Sequence, residues 1–300
     1  MSEELPEGWK SEPLRNVAQV VSGGTPSRYV PEFWERGKIP WVTPTDITGS
    51  SGRFLSDTRE HITERGLQSC SARLLPAGTL LMTSRATLGE VRIAACEVCT
   101  NQGFKSLVPV KGIDNRFLFY QISLNKERYI GLGIGSTFLE VNKRDTEKFE
   151  VLIAPLPQQR RIAEILSTLD EAIEQTEALI AKMQQVKAGL MHDLFTRGVT
   201  PDGRLRPTRE QAPELYKESP LGWIPREWEV FETDAKVNVI DPQPDHRTPP
   251  EVLDGYPYVG IGDVTPTGEL DFIAARKVSP EAFNKQFQSF EIHPGAVMSG

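Results

Sequence analysis

Cysteine is scarce in this chain: Cys70, Cys96 and Cys99 are the only three in 300 residues, too few for a disulfide scaffold. Cys96-x-x-Cys99 has the spacing of half a zinc site, but a closed site needs four ligands. Only Cys70 and His61 lie nearby in sequence, so the expectation is a pair of partly buried thiols and no metal. His61, His192, His246 and His293 are scattered. There is no G-x-S-x-G, H-E-x-x-H or paired-carboxylate motif. A methyltransferase would need a glycine-rich cofactor loop and an Asn-Pro-Pro-aromatic motif for a flipped base, and both are missing. Gly131 to Gly135, GLGIG, superficially resembles a phosphate cradle, yet it follows a predicted helix and lacks the Lys-Ser/Thr of a P-loop. These absences exclude a self-contained enzyme and give no reason to expect a cofactor.

Long apolar runs are also missing. Nothing approaches the ~18 uninterrupted apolar residues of a membrane span. The start, MSEELPEGWK, is acidic and has no apolar core, so it is not a secretory signal. The expected location is the reduced cytoplasm. The net charge of −7 argues mildly against a nucleic-acid partner for the whole chain. Residues 1–155, however, carry 19 Lys+Arg against 18 Asp+Glu. A near-neutral domain binds DNA only if its cations cluster on one face, and its long-range pull is weak.

What is present is a repeat. PEGW, with Pro6 and Trp9, returns as PREW, with Pro225 and Trp228. IPWVTPTDI from Ile39 returns as YPYVGIGDV from Tyr256, and PAGTLLM from Pro76 returns as HPGAVM from His293. The offsets of 219, 217 and 217 residues are nearly collinear, which marks a duplicated domain and not a solenoid unit.

Residues 1–155 read as a mixed, strand-rich α/β domain. VAQVV, IPWVT, TLLMTS, EVRIAA and FKSLVPV are short β-prone runs bounded by glycine and proline. A helix is predicted over about Asn115 to Tyr129. From residue 156 to 198 the apolar spacing becomes that of a rod. Ile162, Leu166, Leu169, Ile173, Ile180, Met183, Leu190 and Leu194 fall on alternating steps of four and three, interrupted by Thr176 and Lys187. That is the a/d seam of a coiled coil. Ile165, Ala172, Leu179 and Val186 widen it, and Gly198 is a natural stop. About 40 helical residues reach ~60 Å, twice the span of a small domain, so the seam needs a second long helix. Residues 199–222 are rich in proline and charge and read as a linker, with a partial second copy of the domain over 223–300.

Three loops combine Ser/Thr, Gly, Asn/Gln and a cation: SGGTPSR (Ser22 to Arg28), TSRATLG (Thr83 to Gly89) and TNQGFKS (Thr100 to Ser106). Loops of this kind donate to phosphate oxygens or read base edges. Arg28, Lys38, Arg53, Arg59, Arg85 and Lys105 are the DNA-contact candidates from charge and loop placement, and Ser136-Thr137 could touch a phosphate.

Asn101 to Pro109, the run from Gly135 to Gly198 and the repeated GW/EW…IPWVT pattern closely resemble the specificity subunit of type I restriction–modification systems. The resemblance covers nearly the whole chain, and the block from Pro155 to Gly198 is its most specific part. It implies two target-recognition domains, each reading half of a split double-stranded DNA site, held apart by two antiparallel helices. It further implies methyltransferase and restriction subunits that perform the chemistry, with no catalysis in this chain. It makes SGGTPSR and NQGFKSL framework or phosphate contacts, and places sequence choice around residues 48–74 and 111–135.

The chain stops at Gly300, soon after the repeat of TLLM, so the second module is expected to be incomplete. The exposed seam would then favour self-association of two copies. The rival expectations are a coiled-coil scaffold without DNA contact, consistent with the charge of −7, and an inactive fragment.

Overall fold

The computed structural model describes residues 5–85, 87–135, 139–236, 247–265 and 268–287. The chain forms two compact units, Met1–Ala188 and Gly189–Gly300.

Among its described residues the first unit has ten strands: β1 (Lys10–Pro13), β2 (Ala18–Ser22), β3 (Ile39–Val42), β4 (Phe54–Leu55), β5 (His61–Ile62), β6 (Leu80–Met82), β7 (Val91–Ala94), β8 (Cys99–Thr100), β9 (Lys105–Pro109) and β10 (Glu150–Ile153). Its helices are α1 (Leu14–Val17), α2 (Pro44–Gly49), α3 (Glu64–Gln68), α4 (Asn115–Leu124), α5 (Lys126–Ile130), α6 (Lys143–Lys148) and α7 (Leu156–Arg197), the last of which runs on into the second unit. The main sheet has the order β2-β9-β6-β7-β4, a second has β5-β3-β8, and β1 pairs with β10. The mixed, strand-rich fold expected from the sequence is present, with the long helix after it.

Successive strand residues point to opposite faces, and here both faces are covered. Leu80 and Met82 pack with Phe117, Leu118 and Ile122 of α4 in one core. Leu81, between them, packs with Val42, Ile47 and Phe104 in another. A third, smaller core joins Trp41, Ile62, Ala72 and Cys99, flanked by Trp34 and Leu67, and supports a lobe on the β5-β3-β8 sheet.

The long helix leaves this domain gradually. Gln159 is buried, accepting from Asp114 N–H at 2.9 Å and donating to the Ala154 carbonyl at 2.8 Å. Ile162, expected in the coiled-coil seam, packs instead on the domain's own core, and Leu166 is half-buried. The apolar stripe opens to solvent at Leu169 and continues through Ile173, Ile180, Met183, Leu190 and Leu194. Gly198 ends the helix at φ 66°, and its N–H bonds the Leu194 carbonyl at 3.1 Å.

In the second unit, residues 199–222 are more ordered than a linker. Arg206 is buried and donates to the Arg197 and Val199 carbonyls while pairing with Glu227. Tyr216–Ser219 pairs with Gly222–Pro225, and Tyr256–Tyr258 pairs with Arg276–Val278. The repeat survives as local geometry. Trp9 N–H bonds the Pro6 carbonyl at 3.0 Å, and Trp228 N–H bonds the Pro225 carbonyl at 2.9 Å. Asp46 accepts from Thr43 N–H at 2.8 Å, and Asp263 accepts from Gly260 N–H at 2.7 Å. The third repeated block, from His293, lies outside the described residues.

Candidate nucleic-acid interface

The three polar loops meet at one end of the main sheet. Strand pairing brings them there: Ser22 lies opposite Lys105, and Thr83 opposite Phe104. Thr25 Oγ1 donates to Gln102 Oε1 at 2.5 Å, joining the first loop to the third. Ser84 N–H donates to the Gly103 carbonyl at 2.7 Å, joining the second to the third. Gly23 is required by this packing, because a Cβ there would lie 2.1 Å from the Asn101 carbonyl oxygen.

Lys105 is only 5% exposed and donates to Ser84 Oγ at 3.1 Å. Glu140 lies 3.7 Å from Lys105 Nζ and 2.8 Å from Arg85 Nη2, so one carboxylate serves two cations. Burial depresses the Lys105 pKa, and the opposing pull of Glu140 does not fully restore it. Of the two, only Arg85 reaches solvent.

Arg53 sits elsewhere. It is 7% exposed, and its guanidinium reaches the long helix, donating to the Ser167 carbonyl at 3.0 Å, Asp170 at 3.1 Å and Glu171 at 3.1 Å. Burial acts against its charge, but the hydrogen bond to Asp170 and its neighbours outweigh this and leave the pKa above the ordinary arginine value. A phosphate cannot reach Arg53 without breaking the clasp, so its role is to join domain to helix.

The remaining candidates occupy the lobe on β5-β3-β8. Arg28 forms a fork with Glu60, with Nη2–Oε2 at 2.7 Å, and lies 3.8 Å above the Trp34 ring. Hydrogen bonding to Glu60 raises the Arg28 pKa and lowers that of Glu60. Lys38 and Arg59 are exposed and form no ion pair among the described residues. Arg36, Arg65 and Arg73, which sequence reading passed over, share both properties. Exposed Glu32, Glu35 and Glu64 lie on the same lobe, so its overall charge is close to balanced. Ser136 and Thr137 lie outside the described residues.

The cysteines make separate contacts. Cys96 Sγ faces the Ser56 carbonyl at 3.3 Å, whereas buried Cys99 faces that of Pro40 at 3.5 Å. Among the described residues, no group of three or more His, Cys, Asp or Glu could hold a metal ion, and no helix is long and apolar enough to cross a membrane.

A family model described as the type I restriction modification DNA specificity domain matches residues 6–185. The MjaIX specificity subunit of Methanocaldococcus jannaschii is 30% identical over 226 residues, covering 73% of this chain and 50% of that protein. The EcoR124I/EcoR124II specificity subunit of Escherichia coli is 27% identical over 169 residues, covering 54% of this chain and 40% of that one. This chain therefore spans about half the length of the curated relatives it matches. A solved chain from a study of complex assembly and conformational transition of the type I R-M system aligns with a TM-score of 0.50 at 21% identity, covering 66% of this chain and 48% of that one.

Proposed function

The chain belongs to the type I restriction modification DNA specificity domain family, and we propose that it is the non-catalytic DNA-reading component of a type I restriction–modification complex in the cytoplasm. In this reading residues 1–155 recognise one half of a split double-stranded site, and residues 156–198 space that reader from another. Residues 199–222 connect to a second, partial recognition domain over 223–300. Methyltransferase and restriction subunits assemble on this scaffold and carry the chemistry. The stripe from Leu169 to Leu194 packs against a second long helix, which a second copy of the chain can supply.

The observation that carries the DNA assignment is the lobe. Lys38 and Arg59, with Arg36, Arg65 and Arg73, are exposed cations without carboxylate partners among the described residues, beside the framework built by SGGTPSR. Such side chains can meet phosphates, and phosphate contacts set position on the duplex. With charges near balance, attraction over distance is weak, so methyltransferase subunits contribute much of the affinity.

Titrating duplex DNA with the chain alone, with methyltransferase alone and with both, at several salt concentrations, tests this. The combination is expected to bind tightest and to prefer one sequence. A combination no tighter or more selective than methyltransferase alone would favour the scaffold reading, in which the chain touches no DNA.

A further inference from the structure

Tyr29 is 96% exposed, yet the turn carrying it is tied on every side. The turn from Ser27 to Val30 is closed by Val30 N–H donating to the Ser27 carbonyl at 3.4 Å. Trp34 Nε1–H donates to that same carbonyl at 3.0 Å, and buried Trp41 Nε1–H donates to the Gly24 carbonyl at 3.0 Å. Gly24 N–H bonds the Thr100 carbonyl at 2.9 Å. Arg28, the immediate neighbour, is held by Glu60 and lies over both indole rings, 3.8 Å from Trp34 and 4.9 Å from Trp41. The result is a rigid mount with one large aromatic ring projecting from it.

Packing gives no reason for that arrangement. A ring left in water forgoes the gain of burial, and no core of the domain includes it. A binding contact does give one: a pre-organised aromatic adds contact area with little ordering cost. The lobe that holds the mount also carries the exposed cations Lys38 and Arg59, which form no ion pair among the described residues. Cations that hold a backbone beside a ring that can pack on a base edge or a thymine methyl in a groove are the two components of a duplex contact.

We propose that Tyr29 is a base-contacting residue, its ring packing against the groove edge of a base, such as a thymine methyl, at one position of the half-site read by the first domain. The phenol oxygen is then free to meet a neighbouring phosphate or base edge. The proposal rests on the DNA-reading function above and adds one reading side chain to it. It shifts part of the sequence choice out of residues 48–74 and into the segment directly after SGGTPSR.

The test uses the assembled complex with methyltransferase and a duplex containing the target found by mapping its methylation. Tyr29→Ala should keep the melting temperature, the assembly and the slope of affinity against salt, because no charge or core contact is lost. Its affinity for the target should fall about tenfold, in line with the loss of recognition at one base pair of a duplex site. Tyr29→Phe should stay within about twofold of the original if apolar contact by the ring carries the effect. With 2-aminopurine placed stepwise through the half-site, one position should change fluorescence on binding the original protein and not on binding Tyr29→Ala. Equal affinity and equal selectivity in Tyr29→Ala would overturn the contact, as would loss of assembly with DNA affinity retained, which would make Tyr29 a protein contact. An original complex without target preference would sink the DNA-reading function itself, and is distinguishable because it precedes any variant.

Discussion

Arg53 and Asp170 are 117 residues apart in the chain and 3.1 Å apart in space. Their pair joins a loop of the first unit to α7 beside Leu169, where the apolar stripe opens to solvent, and Tyr120 closes it by donating to Asp170 at 2.7 Å. Glu174 approaches Gly52 from the same helix, so near that a Cβ on Gly52 would lie 2.9 Å from its carboxylate oxygen. The domain is therefore fixed to the rod by side chains as well as by the chain itself.

Arg53→Ala should loosen that junction. It removes a buried cation with three hydrogen bonds to the helix. Because Asp170 and Glu171 keep partial access to water, the expected loss of stability is about 1–3 kcal/mol. Arg53→Lys should recover only part of it, since an ammonium cannot reproduce the fork. Thermal unfolding of both variants gives the answer, and an Arg53→Ala protein melting with the original would show that the clasp adds no stability.

The stripe on α7 makes a different kind of prediction. Leu169 and Ile173 are each 56% exposed in the single chain. Aspartate at either position should change the stability of the first domain by less than about 0.5 kcal/mol, as for other surface changes. Packed against another helix, the same aspartate would place a charge in an apolar seam. Sedimentation should therefore show self-association for the original chain and a monomer for Leu169→Asp. Equal association in both would place the contact elsewhere.

The contrast between Arg53 and Leu169 shows what could be read from the sequence. The heptad steps reveal the rod, because spacing along one helix is a local property. Strands β2, β3, β6, β7 and β9 also announce themselves as β-rich runs between turns. The short pieces β4, β5 and β8, only two residues each, carry no periodicity to detect. Nor does loop placement distinguish a cation open to DNA from one bound internally. Arg53 and Lys105 resemble Lys38 and Arg59 in sequence, and only folding brings Asp170 and Glu140 to the first two. Ile162 fits the seam by spacing, yet the domain's own core claims it because α7 begins under that core. The sequence signal for Tyr29 is an aromatic directly after SGGTPSR, but spacing alone does not tell an exposed loop ring from one that packs inward, as Trp34 and Trp41 do.

The thiols should separate by reactivity. Burial pushes Cys99 up to about 12 from an ordinary 9.0, with the nearby Cys70 adding to the effect. Alkylation of the folded protein near neutral pH, followed by peptide mass analysis, should label Cys70 and Cys96 well before Cys99. The same shift makes a stability prediction. Above pH 9.0 the unfolded chain ionises this thiol while the folded chain keeps its proton, so the folded state binds more protons and stability falls as pH rises towards 12. Cys99→Ala should show a shallower fall over that window. Parallel curves would mean that the burial of Cys99 does not control its proton.

Salt dependence separates the open cations from the bound ones. Each phosphate contact contributes about 0.9 to the slope of log affinity against log salt on duplex DNA. Lys38→Ala and Arg59→Ala, measured in the complex with methyltransferase, should each reduce that slope by about 1 and weaken binding to all sequences similarly. Lys105→Met should leave the slope unchanged, because its ammonium is spent on Ser84 and Glu140 inside the domain. Arg85→Ala tests the intermediate case. Its guanidinium is half-exposed but paired with Glu140, and removing it leaves that carboxylate facing Lys105 alone. If Glu140 keeps Arg85 engaged in the bound state, the slope stays put. If a phosphate takes Arg85 from Glu140, the slope falls by about 1 as for Lys38. An unchanged slope in Lys38→Ala and Arg59→Ala together would remove the lobe from the DNA interface, whatever Arg85 does.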